Sequence, residues 1–318
     1  MRIGLLNNLR AGRSSPEVTR ILRLLRRFPD VAHVETTSVR SVPEALATLA
    51  RQNVELLVVN GGDGTLQHTL TQILTTDDFM SIPMVAPLRG GRTNMSARDI
   101  GSHRNPVKGL EGLLEDAKAG RLDDRLVDRP LLRVETVRDR EIHYGFFFGA
   151  GMIHRAINLT HSLFPSGKSQ GSFGAGLVTA GLILRAIAKR RDGVMTPDKA
   201  QIVLDEELVE SGEFALIIAS SLQRLFLGIN PFWGTEKAPV RFTALASGSE
   251  RTAVAAPGIL RGKPRSFVRP DAGYTSRNVE VAELRLDAGF TVDGEIIPPR
   301  SGEIVRVSGD RRIRFVRA

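Results

Sequence analysis

Cysteine is absent from the chain, which excludes a disulfide framework, a thiolate metal site and a cysteine nucleophile. Aromatic residues are scarce at 5%, with one tryptophan and two tyrosines. No basic stripe is interleaved with stacking side chains, which places nucleic acid last among anionic partners. Long apolar runs are also missing. The longest, Phe173 to Ile187, is interrupted by Arg185 and is too short to span a bilayer. Acids are the minority charge, 35 against 44 Lys and Arg, and the net charge of +9 implies attraction to a phosphate-bearing substrate or an anionic lipid surface. Two common phosphate motifs are lacking: there is no G-x-x-x-x-G-K-[ST], and no G-x-G-x-x-G follows the first strand. Met1-Arg2-Ile3-Gly4-Leu5-Leu6 reads as a first β-strand rather than a secretory signal, so a cytoplasmic protein is expected.

What is present is a run of glycine in a telling place. Gly61-Gly62-Asp63-Gly64-Thr65 follows the apolar Leu56-Leu57-Val58-Val59 and precedes a helix expected from about Leu66. Three glycines in five residues let backbone N–H groups approach an anion, and a helix N-terminus adds its dipole at the same point. The carboxylate of Asp63 suits a metal or hydroxyl partner better than a phosphate. A glycine-rich turn with an Asp N-cap is the purely structural alternative.

The first 120 or so residues alternate strand and helix signals: strands at Arg2–Leu6, Val31–Thr37, Leu56–Asn60 and Ile82–Pro87, and helices at Pro16–Phe28, Pro43–Arg51, Leu66–Leu74 and Pro106–Ala119. This alternation predicts a parallel sheet with ligands at the carboxyl ends of its strands. Asn8 to Ser14, with Gly12 and Arg13, then Thr36, and Gly90-Gly91-Arg92-Thr93-Asn94 fall at the same edge as the glycine turn. From Leu126 short strands take over, at Leu131–Thr136, His143–Phe148, Gln201–Leu204, Phe214–Ala219, Val240–Leu245 and Val279–Leu286, interrupted by a helix at Ser172–Arg191. The expected division is residues 1–125, an α/β nucleotide-binding domain, and 126–318, a mainly antiparallel β-sandwich-like domain whose last strand returns towards the first. Asp293-Gly294-Glu295 reads as a late hairpin turn with two carboxylates.

Taken together, these segments resemble the diacylglycerol kinase catalytic-domain family, which includes bacterial lipid kinases and sphingosine kinases and is distantly similar to NAD kinases. The resemblance rests on Gly61-Gly62-Asp63-Gly64-Thr65, Asp293-Gly294-Glu295 and Phe148-Gly149-Ala150-Gly151. The Asn-Glu pair of NAD kinases has no match. The resemblance implies ATP, carried with Mg²⁺, and transfer of a phosphoryl group to a lipid hydroxyl such as that of diacylglycerol, in a cleft between two domains. It implies an ATP site of Asn8, Gly12, Arg13, Thr36 and Gly61 to Thr65, extended by Gly91, Arg92, Thr93, Asn94 and Asp128. Either Glu295 or Asp63 is the implied catalytic base.

The chain departs from that family at Gln67 and His68, where an Asn and a Glu often follow the glycine turn, and in two further places. Arg92 and Met95 stand where a hydroxyl and a carboxylate are usual, so those polar roles are lost, and Arg92 either reaches phosphate or faces solvent. Glu236 is the only acid between Leu225 and Leu245, where relatives hold a structural Mg²⁺, so that metal is not expected. A catalytically weak or inactive nucleotide- or lipid-binding homologue is the alternative function. Arg261, Lys263, Arg265 and Arg269, interleaved with Pro264 and Phe267, form either a segment for anionic headgroups at the inner membrane face or a solvated loop.

Overall fold

The computed structural model describes residues 1–10, 15–91, 93–163, 196–225 and 228–318. The chain divides into two compact units, Met1–Arg129 with Arg312–Ala318, and Pro130–Arg311. The helix expected at Ser172–Arg191 lies outside the described residues, as do the site candidates Gly12, Arg13 and Arg92.

In the first unit the chain runs β1 (Ile3–Asn8), α1 (Ser15–Leu25), β2 (Ala32–Thr36), α2 (Val42–Arg51), β3 (Leu56–Gly61), α3 (Asp63–Thr75), β4 (Met84–Arg89), α4 (Met95–Ile100) and α5 (Pro106–Lys118). The strands are parallel in the order β2-β1-β3-β4. The end of the final strand, which runs Glu303–Val316, joins β4 through Phe315 and Val85. All six residues of β3 are buried, as expected of a strand covered on both faces. Leu5, Leu56, Val58 and Ala86 from the sheet share a core with Ile21 of α1 and Leu110, Leu113 and Leu114 of α5. Asn105 starts α5 sharply: its Oδ1 accepts from the backbone N–H of Val107 at 3.0 Å and Lys108 at 3.2 Å, and Pro106 follows at the first helical position.

Beyond α5, Asp116 accepts from Arg121 Nη2 at 2.6 Å and Arg125 Nε at 2.7 Å. These guanidinium groups hold its carboxyl below the ordinary value of 3.8. A carboxyl depressed in the folded state stabilises fully above its unfolded pKa, and that contribution is lost as pH falls through the folded value. Acid unfolding of Asp116→Asn is therefore expected to converge with wild type at the lowest pH and to separate from it above about pH 4.

The second unit is antiparallel in every pairing whose register is resolved. It contains the rest of β5 (Leu126–Thr136), then β6 (Ile142–Gly145), β7 (Phe147–Gly151), α6 (Met152–Leu163), β8 (Asp198–Leu204), β9 (Glu207–Ser220), β10 (Val240–Ala246) and α7 (Thr252–Ile259). After these come β11 (Tyr274–Val279), β12 (Val281–Leu286), β13 (Phe290–Val292), β14 (Glu295–Ile297) and most of β15 (Glu303–Val316). The order β14-β13-β7-β9-β8-β12-β15 forms the main path. The long β9 serves two sets of partners, with Leu216–Ser220 paired to both β7 and β10, and Glu207–Phe214 to β8. Phe148 and Phe290 meet at 5.3 Å between ring centroids, inside a core that also buries Phe214, Phe242 and Leu284. A satellite cluster of Leu245, Ala255, Ile259, Val268 and Tyr274 lies under α7.

Three aspartates explain where the element boundaries depart from expectation. The strand expected at His143–Phe148 is two strands, because Asp293 takes the N–H groups of Phe146 and Phe147 at 3.0 and 2.9 Å. The run Val279–Leu286 is broken at Glu280, where Asp205 Oδ1 accepts from Glu280 and Val281, both at 2.9 Å. The third, Asp63, belongs to the candidate site. Among the described residues no helix is long and apolar enough to cross a membrane.

Candidate phosphate site

The first unit's strand order reverses at β1: β2 lies on one side of it and β3 on the other. Chain leaving β1 and β3 therefore diverges at their carboxyl ends, opening the crevice where such sheets receive ligands. The register places one row of residues along that edge. Asn8 stands level with Thr36, Asn7 with Asn60, and Gly61 with Arg89. Four loops or helix starts thus leave the sheet at one height.

Asparagines fasten this edge. Asn60 Nδ2 donates to Asn7 Oδ1 at 2.8 Å, across the β1–β3 boundary. Asn8 Nδ2 donates to Thr65 Oγ1 at 2.8 Å, drawing the end of β1 to the first turn of α3. Thr36 is buried, and among the described residues its Oγ1 has no hydrogen-bond partner. The Asn7–Asn60 pair and Arg89 were not anticipated as site residues. Their signal is polar side chains at the last positions of otherwise apolar strands.

The glycine turn is tighter than the sequence implies, because α3 begins at Asp63 rather than near Leu66. Asp63-Gly64-Thr65 is the helix's first turn. Gly62 is its N-cap and carries no side-chain cap, so the leading N–H groups lack a side-chain acceptor of their own at the capping position. Glycine is required at Gly61, where a Cβ would come within 2.6 Å of Thr65 Cβ. It is required more strictly at Gly91, where a Cβ would stand 2.2 Å from Gly62 Cα. The two glycine loops are packed backbone against backbone.

Asp63 locks that packing. Its Oδ2 accepts from the backbone N–H of Met95 at 3.1 Å and its Oδ1 from that of Ser96 at 3.0 Å, so it caps α4, a six-residue helix absent from the sequence reading. Burial pushes its carboxyl above the usual aspartate value, against the pull of the Ser96 and Met95 amides. The metal or hydroxyl role considered for Asp63 competes with this cap, because both oxygens already hold amides. Asn94 completes the clasp from a left-handed conformation, φ 50°. Its Oδ1 accepts from Gly91 N–H and its Nδ2 donates to Gly91 C=O, both at 2.7 Å. Asn94 is buried and Thr93 exposed, so of these two only Thr93 is open to a ligand.

Asp128 lies on β5 as an exposed partner of Arg312, whose Nε donates at 2.5 Å. In the second unit Asp293 forms the β13–β14 turn with φ 49°, and the half-buried Glu295 opens β14, paired with Val292. Asparagine at 293 keeps one acceptor but points an N–H₂ at the other amide. Asp293→Asn is expected to destabilise the protein by about 1–3 kcal/mol, measurable as a lower urea midpoint. Among the described residues no three His, Cys, Asp or Glu side chains gather as a metal-ligand set. His154 and His161 both fall on α6, where His154 is buried and desolvation lowers its pKa.

The nucleotide implied by the resemblance fits the observed edge in one respect above others. An uncapped helix start, bare of side chains at Gly62 and Gly64, stands at the sheet's switch point, and that geometry receives phosphate. Residues 2–122 match the diacylglycerol kinase catalytic domain model, while no curated protein sequence matches the chain. A solved structure of a "putative diacylglycerol kinase" from Bacillus anthracis str. Sterne is similar over 100% of this chain and 95% of its own, with 16% identity and a TM-score of 0.69. A second structure under that description, from the same organism, covers 100% and 97% with 17% identity and a TM-score of 0.67. The family resemblance carried by the glycine turn thus holds for residues 2–122, which are similar to the diacylglycerol kinase catalytic domain, and the chain has the fold of those Bacillus structures.

Proposed function

We propose that the protein is an ATP-dependent lipid kinase that phosphorylates a lipid hydroxyl such as that of diacylglycerol. The observation that supports this reading is the α3 start at Gly62, which has no side-chain cap and stands at the switch point, with the turn fixed by the Asp63 cap on α4 and the Gly62–Gly91 packing. When bound, ATP with Mg²⁺ supplies the phosphoryl group and offsets charge on it. The chain's part is to hold phosphate oxygens on the N–H groups leading α3, with Asn8 and Thr36 beside them on the same edge. Gly12, Arg13 and Arg92 are proposed to add donors to that set, and Thr93 an exposed hydroxyl. We assign the base to Glu295, whose carboxylate takes the proton from the lipid hydroxyl. Asp63 is the weaker candidate, because accepting that proton competes with capping α4.

Labelled phosphate passing from ATP to at least one lipid alcohol in mixed micelles tests the proposal. No transfer to any lipid of a broad panel, at ample Mg²⁺, contradicts it. One observation favours a second reading, a weak or inactive nucleotide- or lipid-binding homologue: the glycine-turn carboxylate is spent on backbone amides, and Met95 stands where a further acid is usual. Calorimetric ATP binding without turnover, unaffected by Glu295→Gln, would select that reading.

A further inference from the structure

In the second unit, α7 (Thr252–Ile259) carries no charged residue and is apolar on faces that solvent reaches. Ala255 and Ile259 turn inward to the satellite core. A rotation of about 100° per residue places Ala253, Val254 and Pro257 together on the opposite face, where all three are exposed. Val254 is 46% exposed, one of few large apolar side chains so open among the described residues. A soluble helix ordinarily turns polar residues outward, so this face lacks a partner.

Basic residues flank it in the chain. Residues 251–269 contain Arg251, Arg261, Lys263, Arg265 and Arg269 and no Asp or Glu, and all five cations are exposed. Arg251 stacks over the Phe267 ring at 5.7 Å, and Arg261 Nη1 donates to Pro257 C=O at 3.2 Å, which sets Arg261 at the rim of the apolar face. Arg269 pairs with Asp271 at the surface. Glu250 and Asp271 flank the segment without entering it.

We propose that α7 and the following loop to Arg269 are a docking surface for an anionic lipid bilayer, with Ala253, Val254 and Pro257 entering the headgroup layer and Arg251, Arg261, Lys263 and Arg265 on acidic headgroups. An exposed apolar face flanked in the chain by exposed cations matches a bilayer better than a nucleic acid, because nucleic acid offers charge without an apolar layer. The choice of a bilayer rests on the lipid kinase reading, since a diacylglycerol stays in the membrane. Each basic residue at an anionic surface strengthens binding about fivefold.

Sedimentation of the full chain with phosphatidylcholine vesicles containing about one-third phosphatidylserine tests the proposal, at two salt concentrations. Wild type is expected to bind, and salt to release it. The triple variant Arg261→Glu, Lys263→Glu, Arg265→Glu is expected to bind at least about 100-fold more weakly, and Val254→Asp to bind more weakly than wild type. Both variants should keep the wild-type melting temperature, since none of these side chains belongs to a core. Equal sedimentation of the triple variant, equal binding to pure phosphatidylcholine, or displacement from vesicles by duplex DNA through the same residues overturns the proposal. A dispersed short-chain diacylglycerol separates the two claims. Loss of vesicle binding in the triple variant supports docking even if no lipid is ever phosphorylated, and in that case only the kinase reading fails.

Discussion

Replacing Glu295 by glutamine is expected to slow phosphoryl transfer to a lipid alcohol by about 10²–10⁴-fold, the usual contribution of a positioned general base. The change is nearly isosteric and removes the carboxylate's charge together with its ability to take a proton. Glu295 is half-buried at the start of β14, and its backbone pairing with Val292 is independent of the side chain. The melting temperature and ATP affinity should therefore stay close to wild type while turnover falls. Asp63→Asn is expected to behave differently. It disturbs the amides of Met95 and Ser96, so stability, ATP binding and turnover should decline together. Measuring all three for both variants separates a proton acceptor from a cap. If Asp63→Asn were as stable as wild type yet inactive, and Glu295→Gln fully active, the assignment of the base would be reversed.

The largest structural effect is expected at Gly91. A methyl group there would lie 2.2 Å from Gly62 Cα and 3.0 Å from both Gly62 N and Asn94 Oδ1. The nearest obstacle is backbone, which cannot rotate away as a flexible side chain does. The two loops must separate, straining the Asn94 clasp on Gly91 and the Asp63 cap on α4. Overpacking of this kind costs about 1–3 kcal/mol, and loss of the attached hydrogen bonds adds about 1 kcal/mol each. Gly91→Ala should therefore lower the urea midpoint markedly and abolish calorimetric ATP binding. Gly212→Ala is a useful control, because its Cβ would meet nothing within 4 Å and should leave ATP binding unchanged.

These expectations show which features could be read from residues and which could not. Strands β1 to β4 were legible because their apolar runs are bounded by turn residues, and the alternation with helices implied the parallel sheet. The Asp293-Gly294 hairpin was legible from its turn dipeptide, and the structure forms it between β13 and β14. Helix α4 was not, because its six residues begin with Met95 and Ser96 and owe their start to Asp63, more than thirty residues earlier. No local pattern encodes a cap supplied from so far away. The breaks at Phe146 and Glu280 were hidden for the same reason, since Asp293 and Asp205 act across the fold. The role of Asp63 illustrates the point at the site itself. Its residue type and position suggested chemistry, while its surroundings give it a structural task that sequence spacing does not reveal.

The most direct test of the central claim is a coupled measurement of ADP released and phosphorylated lipid formed, with diacylglycerol in mixed micelles, ATP and Mg²⁺. The lipid kinase account predicts one phosphorylated lipid for each ADP, with both products falling together in Glu295→Gln. ADP released without any phosphorylated lipid, or neither product from a folded protein that binds ATP, would contradict it.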